Sequence, residues 1–121
     1  MNIEEEKIKE ELYNKGLEAF RKHEFYDAHE YWEDLWSDYY LHDSKFIQGL
    51  IQLSVGYFHI SNLNLNGAKG LLNKCIPKLE YFSPKYRDLD ITLILDSVNI
   101  TLQYLEKHGV KNFNWSLVPK L

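Results

Sequence analysis

His29 and Glu33 stand four residues apart in the stretch "AHEYWEDLW", Ala28 to Trp36, and Glu30 stands three before Glu33. On a helix this spacing puts an imidazole and a carboxylate on one face. Such a pair can share a divalent metal, or exchange a proton as acid and base. The zinc-protease pattern His-Glu-x-x-His is absent, because Glu33 occupies its last position. The Glu-x-x-His pairs of di-iron bundles are absent as well. A second polar set lies downstream. Gln48, Gln52 and His59, spaced by four and seven, form a polar stripe on the most apolar segment of the chain. Buried without partners, such groups cost on the order of 1–3 kcal/mol each, so they must meet partners or a wet cleft. His29, Glu30 and Glu33 are suitable partners. The six residues predict a polar cluster between the second and third helices. It reads as a closed hydrogen-bond network that fixes helix register, or as a site open to a ligand. In the open reading His29, Glu33 and His59 are the metal candidates. Glu30 and Gln52 are the catalytic candidates, as base and as substrate-orienting group.

The elements that must position these residues follow from apolar spacing. Ile8, Leu12, Gly16 and Ala19/Phe20 make one stripe, and Ala28, Tyr31/Trp32 and Leu35/Trp36 a second. The third segment carries Phe46, Ile47, Leu50, Ile51, Leu53, Tyr57, Phe58 and Ile60, apolar on most sides, as a central helix is. Ala68, Leu71/Leu72, Cys75, Ile76 and Leu79 mark a fourth helix, and Leu89 to Lys107 a fifth. Asp43 or Ser44 can cap helix three. Ser83-Pro84 suits the first turn of a helix, and Gly109 after Lys107-His108 suits a helix end. His23, His42 and His108 fall at helix ends, where capping or dipole roles suffice. The tail "NFNWSLVPKL" lacks helical period and is expected to lie extended, pinned by Phe113 and Trp115.

An internal repeat links the first four segments. Gly16 precedes Ala28 by twelve residues, Gly56 precedes Ala68 by twelve, and the two pairs are forty apart. Small residues at paired positions let antiparallel helices approach closely, as in hairpins of the tetratricopeptide type. Two such units are too few for a free-standing solenoid. The predicted fold is all-α, a compact five-helix bundle. It is built from two antiparallel tetratricopeptide-like hairpins plus a closing C-terminal helix and an extended tail, in one domain over residues 1–121.

Composition narrows the function classes. The net charge is −4 and no run of Lys or Arg occurs, so nucleic acid is not an expected partner. The apolar stretch "FIQGLIQLSVGYFHI" is interrupted by Gln48, Gln52 and His59, so no membrane span is expected. Met1 to Glu11 holds five Glu and two Lys where a secretory signal needs an apolar core. Cys75 is the only cysteine, which excludes an intrachain disulfide and a Cys-based zinc site; on its apolar stripe it reads as a packed residue. No phosphate loop, dinucleotide fingerprint or nucleophile elbow appears. Aromatics make up 15% of the chain, enough to fill a core or a homo-oligomer interface. These readings point to a soluble, cytoplasmic protein. No cofactor is expected beyond a divalent metal in the polar cluster.

Three motifs in series resemble a known family. Ala28, His29, Glu30, Glu33 and Trp36 match an Ala-His-Glu-x-x-Glu-x-x-Trp helix. Gly49, Leu50, Ile51 and Gln52, with His59 beyond them, match a Gly-Leu-Ile-Gln helix ending near a His. Gly67 and Ala68 match a Gly-Ala helix start. Together, over roughly Gly16 to Leu79, they resemble the family called domain of unknown function 309. The chain departs from its pattern at both hairpin turns, where His23 and Leu63 replace the frequent Gly. The resemblance implies a small all-α domain of bacteria, archaea and plastids, and no assigned activity; a plastid-encoded member would sit in the stroma. The leading expectation is a non-enzymatic module binding a protein, a peptide or a small polar ligand. The alternative is a metal-dependent hydrolase-like enzyme that uses the same cluster.

Overall fold

Five helices form along the apolar stripes in a computed structural model that describes residues 2–121. Met1, at the head of the charged N-terminal stretch, lies outside the described residues. Helix α1 runs Ile3–Arg21, α2 Phe25–Asp38, α3 Ser44–Ser61, α4 Leu65–Glu80 and α5 Ile91–His108. Local chemistry sets their starts. The Asn2 side chain accepts the Glu5 N–H at 3.2 Å, and Glu4 to Glu6 sit in the first turn of α1, where negative charge suits the helix dipole. Asn64 accepts the Gly67 N–H at 2.9 Å to open α4, and Asp90 accepts the Leu93 N–H at 3.0 Å to open α5.

Each helix packs on the next in chain order. Helix α3 lies at the centre, with Phe46, Ile47, Leu50, Leu53 and Tyr57 fully buried. Seven of the 18 aromatic residues are buried in the core and six more pack against it. Phe20, Phe25, Trp32 and Tyr57 share one cluster, while Phe46, Phe82 and Tyr86 pack with centroids 4.7–5.1 Å apart. The buried hydroxyls of Tyr57 and Thr101 meet at 2.8 Å and tie α3 to α5. Cys75 is fully buried and its S–H donates to the Leu72 carbonyl at 3.1 Å; burial pushes its thiol up to about 12. Among the described residues no helix is long and apolar enough to cross a membrane.

The forty-residue repeat is real in three dimensions. Gly16 lies against the Trp32 indole and Gly56 against the Leu72 side chain, where a Cβ would come within 2.1 Å and 2.6 Å respectively. The turns repeat too. His23 N–H donates to Phe20 O at 2.9 Å, as Leu63 N–H does to Ile60 O at 3.0 Å. Glu24 N–H reaches Ala19 O at 2.9 Å, as Asn64 N–H reaches His59 O at 2.8 Å. Both turns use a left-handed residue, His23 at φ 60 and Leu63 at φ 58. Each turn thus places a side chain in the left-handed region that favours Gly. Leu63 is 61% exposed, so little packing depends on it. The left-handed state costs about 1–2 kcal/mol, and glycine's extra unfolded freedom returns about 0.5–1 kcal/mol of that. Leu63→Gly is therefore expected to stabilise the fold by up to about 1 kcal/mol. A urea midpoint below the parent's would refute this.

The segment between α4 and α5 departs from expectation. Leu89-Asp90 is a short strand, not the start of the fifth helix. It pairs antiparallel with Lys85-Tyr86, so that β1 (Lys85–Tyr86) and β2 (Leu89–Asp90) flank the turn residues Arg87 and Asp88. Both turn residues are left-handed, at φ 47 and 61, as a tight two-residue hairpin requires. Ser83-Pro84, a cis peptide, precedes this hairpin rather than opening a helix; the Ser83 hydroxyl donates to Glu80 O at 2.7 Å and closes α4 instead. The tail is less extended than predicted. Trp115–Leu117 forms one 3-10 turn, with Phe113 buried edge-on to Trp115 at 4.9 Å.

Candidate functional site

Helices α2 and α3 run antiparallel, and the Tyr26 ring, 5.3 Å from Phe58, sets their register. Ala28, Trp32 and Leu35 fill the buried face of α2. His29 and Glu33 are half-buried at its margin and Glu30 is exposed. On α3, Gln48, Gln52 and His59 are all half-buried. The two sets border one seam, yet among the described residues no hydrogen bond or ion pair joins any two of the six. The His29 ring N–H at Nδ1 donates to Tyr26 O at 3.3 Å, within its own helix. The Asn64 amide donates to His59 Nδ1 at 3.4 Å, and the His59 ring packs on Gly67, where a Cβ would lie 2.9 Å from it. Gln52 Oε1 is buried without a hydrogen-bond partner.

His59 therefore serves the α3–α4 turn. From the Tyr26–Phe58 register, Glu33 falls level with Gln52, and His59 is seven residues further on. Seven residues are two turns, roughly 10 Å along the helix. Among the described residues no group of three or more His, Cys, Asp or Glu is placed to hold a metal ion, so His29, Glu33 and His59 are not gathered as one ligand set. The metal candidates shared a helical period, but His59 lies at the far end of α3 from Glu33's level.

A second polar centre was not anticipated. The Asp43 side chain is 1% exposed and is gripped by Arg87, whose Nε–H donates to Oδ2 at 2.8 Å and whose Nη2–H donates to Oδ1 at 3.2 Å. The Tyr86 hydroxyl also donates to Oδ2, at 3.0 Å. Burial raises the Asp43 carboxyl, but the hydrogen bonds and charge of Arg87, with the Tyr86 hydroxyl, outweigh it and hold the group below its ordinary value. Asp43 precedes α3 as expected, but its side chain makes no cap bond because Arg87 takes it. The Arg87 guanidinium lies 4.5 Å from the centroid of the Tyr13 ring, a cation–π contact. These groups border a cleft of about 620 Å³ between α1, the start of α3 and the β1–β2 turn. No local pattern announces it, since Asp43 and Arg87 are 44 residues apart and an Arg-Asp turn lacks the usual Asn-Gly signal.

An aromatic cleft of about 530 Å³ opens at the α1–α2 turn, between His23, Phe25, Tyr26, Phe58 and Trp115. There the His23 ring stacks on Phe25 at 5.2 Å.

Residues 13–71 match a family described as Domain of unknown function (DUF309). The matched span holds both hairpin turns and the whole α2–α3 seam, and it ends before Arg87. Comparison with curated proteins and with solved structures finds no match.

Proposed function

We propose, from the premise that residues 13–71 form a DUF309 domain, that this domain is a non-enzymatic binding module presenting the α2–α3 seam to a polypeptide. The observation that carries the reading is Gln52 Oε1, buried on the seam without a donor. A buried amide left unpaired costs about 1–3 kcal/mol, and an N–H group from a partner chain would offset that cost once the half-buried Gln52 side chain turns its enclosed Oε1 outward. The absence of bonds within the cluster supports a surface that awaits a partner over a network already closed. Tyr26 and Trp36, 50% and 38% exposed, flank the seam, and such aromatics are enriched at interfaces. The carboxylates of Glu30, Glu33 and Asp34 favour a basic segment. Neither cleft described above includes Gln48, Gln52 or Glu33; a shallow seam suits an extended or helical peptide better than a small molecule.

If the seam serves binding, His29→Ala and Glu33→Ala should each change stability by less than about 0.5 kcal/mol, the usual range for surface positions. Losses above about 1 kcal/mol in both variants would mark a closed structural network instead. For the surface itself, random displayed peptides are selected against the protein and mapped by amide NMR shifts. Perturbations centred on α2 and α3, lost with Trp36→Ala, support the reading; binders that map elsewhere overturn it.

A further inference from the structure

We propose that the cleft between α1, the start of α3 and the β1–β2 turn binds a small amino carboxylate, a zwitterion with one carboxylate and one ammonium group. It is a different site from the seam and does not depend on it. Four observations converge there. Tyr13 is 4% exposed and its hydroxyl is buried with no hydrogen-bond partner. That hydroxyl lies among the charges of Arg87, Asp43, Glu10 and Arg21, all of which border the cleft. Burial pushes it up to about 12, so it stays protonated and can donate. Arg87 is held by the buried Asp43 and stacked on Tyr13, which fixes its fork before any ligand arrives. The β1–β2 turn, whose two-residue geometry fixes Arg87 and Asp88 side by side, places both of them on the cleft wall.

The chemistry of the walls selects the ligand. Arg87 spends two of its five N–H groups on Asp43, and Arg21 spends one on Leu121 O at 2.8 Å. The remaining N–H groups and the Tyr13 O–H suit the planar oxygens of a carboxylate. The fixed charges oppose a bare anion, since Glu10, Asp43 and Asp88 outnumber Arg21 and Arg87. Glu10 accepts only a 3.4 Å bond from Asn14, and Asp88 has no side-chain partner among the described residues. A ligand that brings its own ammonium gives those two carboxylates a donor. The volume falls within the ~300–1,000 Å³ of small-molecule sites.

The test uses thermal melts and calorimetric titration of the full chain. The probes are glycine, β-alanine, 4-aminobutyrate and the L-amino acids one at a time, against acetate, methylammonium and inorganic phosphate. At least one amino carboxylate is expected to raise the Tm, and to do so equally in Trp36→Ala. Tyr13→Phe is expected to weaken that binding by at least about tenfold, and without ligand to be at least as stable as the parent, because an unpaired buried hydroxyl is removed. Asp88→Asn should weaken the amino carboxylate but not acetate, whose binding can only gain when one of the opposing carboxylates is removed. The proposal is overturned if no amino carboxylate binds, if acetate or phosphate binds as tightly, or if unliganded Tyr13→Phe is less stable than the parent.

Discussion

Arg87→Ala is expected to cost about 3–5 kcal/mol of folding stability, the range for breaking one side of a buried ion pair. The Asp43 side chain is 1% exposed, and without Arg87 its carboxylate keeps only the Tyr86 hydroxyl at 3.0 Å. Arg87 itself is 25% exposed and borders a cleft, so water can reach part of the gap and the lower end of the range applies. Burial would then act on Asp43 almost alone and raise its carboxyl. In the parent that carboxyl sits below its ordinary value. The pair's contribution is thus present above the unfolded carboxyl's pKa of about 4, and it is lost as pH falls through the lower folded value. The variant gains when its unpaired Asp43 protonates. Urea melts should show a wide gap between parent and variant at neutral pH that narrows in acid. A gap that stays constant down to pH ~3, below the unfolded carboxyl value, would mean that Arg87 acts by packing and not by charge.

Gly16→Ala is expected to cost about 3 kcal/mol, the upper part of the range for forcing atoms into a filled core. The new Cβ would lie 2.1 Å from Trp32 Nε1 and 2.4–2.5 Å from two neighbouring ring carbons. The indole has nowhere to go. Trp32 is fully buried, its Nε1–H donates to the Tyr13 carbonyl at 3.2 Å, and Phe20 packs 6.2 Å away. Relief requires α1 and α2 to separate, which breaks that hydrogen bond as well. The repeat supplies the control. At Gly56 the intruding methyl meets Leu72 Cδ2 at 2.6 Å and Cγ at 2.7 Å; that side chain is also fully buried, but it is smaller than an indole, has rotamers to change, and carries no hydrogen bond to break. Gly56→Ala should therefore cost clearly less in the same denaturant series. Equal small losses at both positions would show that the helix spacing adapts and that neither glycine is required.

The Gly16/Ala28 and Gly56/Ala68 pairs made the two hairpins legible, because close helix approach needs small residues at fixed helical intervals. The same periodicity exposed the buried faces of Trp32, Tyr57 and Cys75. It also put His29, Glu33, Gln52 and His59 on plausible faces. It could not say that His59 would turn to Asn64 while Gln52 stayed unpaired, because a period defines a face and not a level along the neighbouring helix. The Asp43–Arg87 centre was out of reach for a different reason. Asp43 has the type and position of a cap, and only the β1–β2 turn, arriving from 44 residues away, diverts its carboxylate. Leu89 likewise continues an apolar helical stripe, but the two left-handed residues before it commit it to a strand.

The burial of Cys75 makes the chain its own stability gauge. The only thiol of the protein is fully enclosed, and it is protonated throughout the range in which thiol reagents are used. Such a reagent attacks the thiolate, so the folded molecule is inert to it and labelling proceeds through opened chains. Labelling rates measured with no denaturant would rank the Arg87, Gly16 and Leu63 variants on one scale. A bound amino carboxylate would slow labelling in proportion to its occupancy.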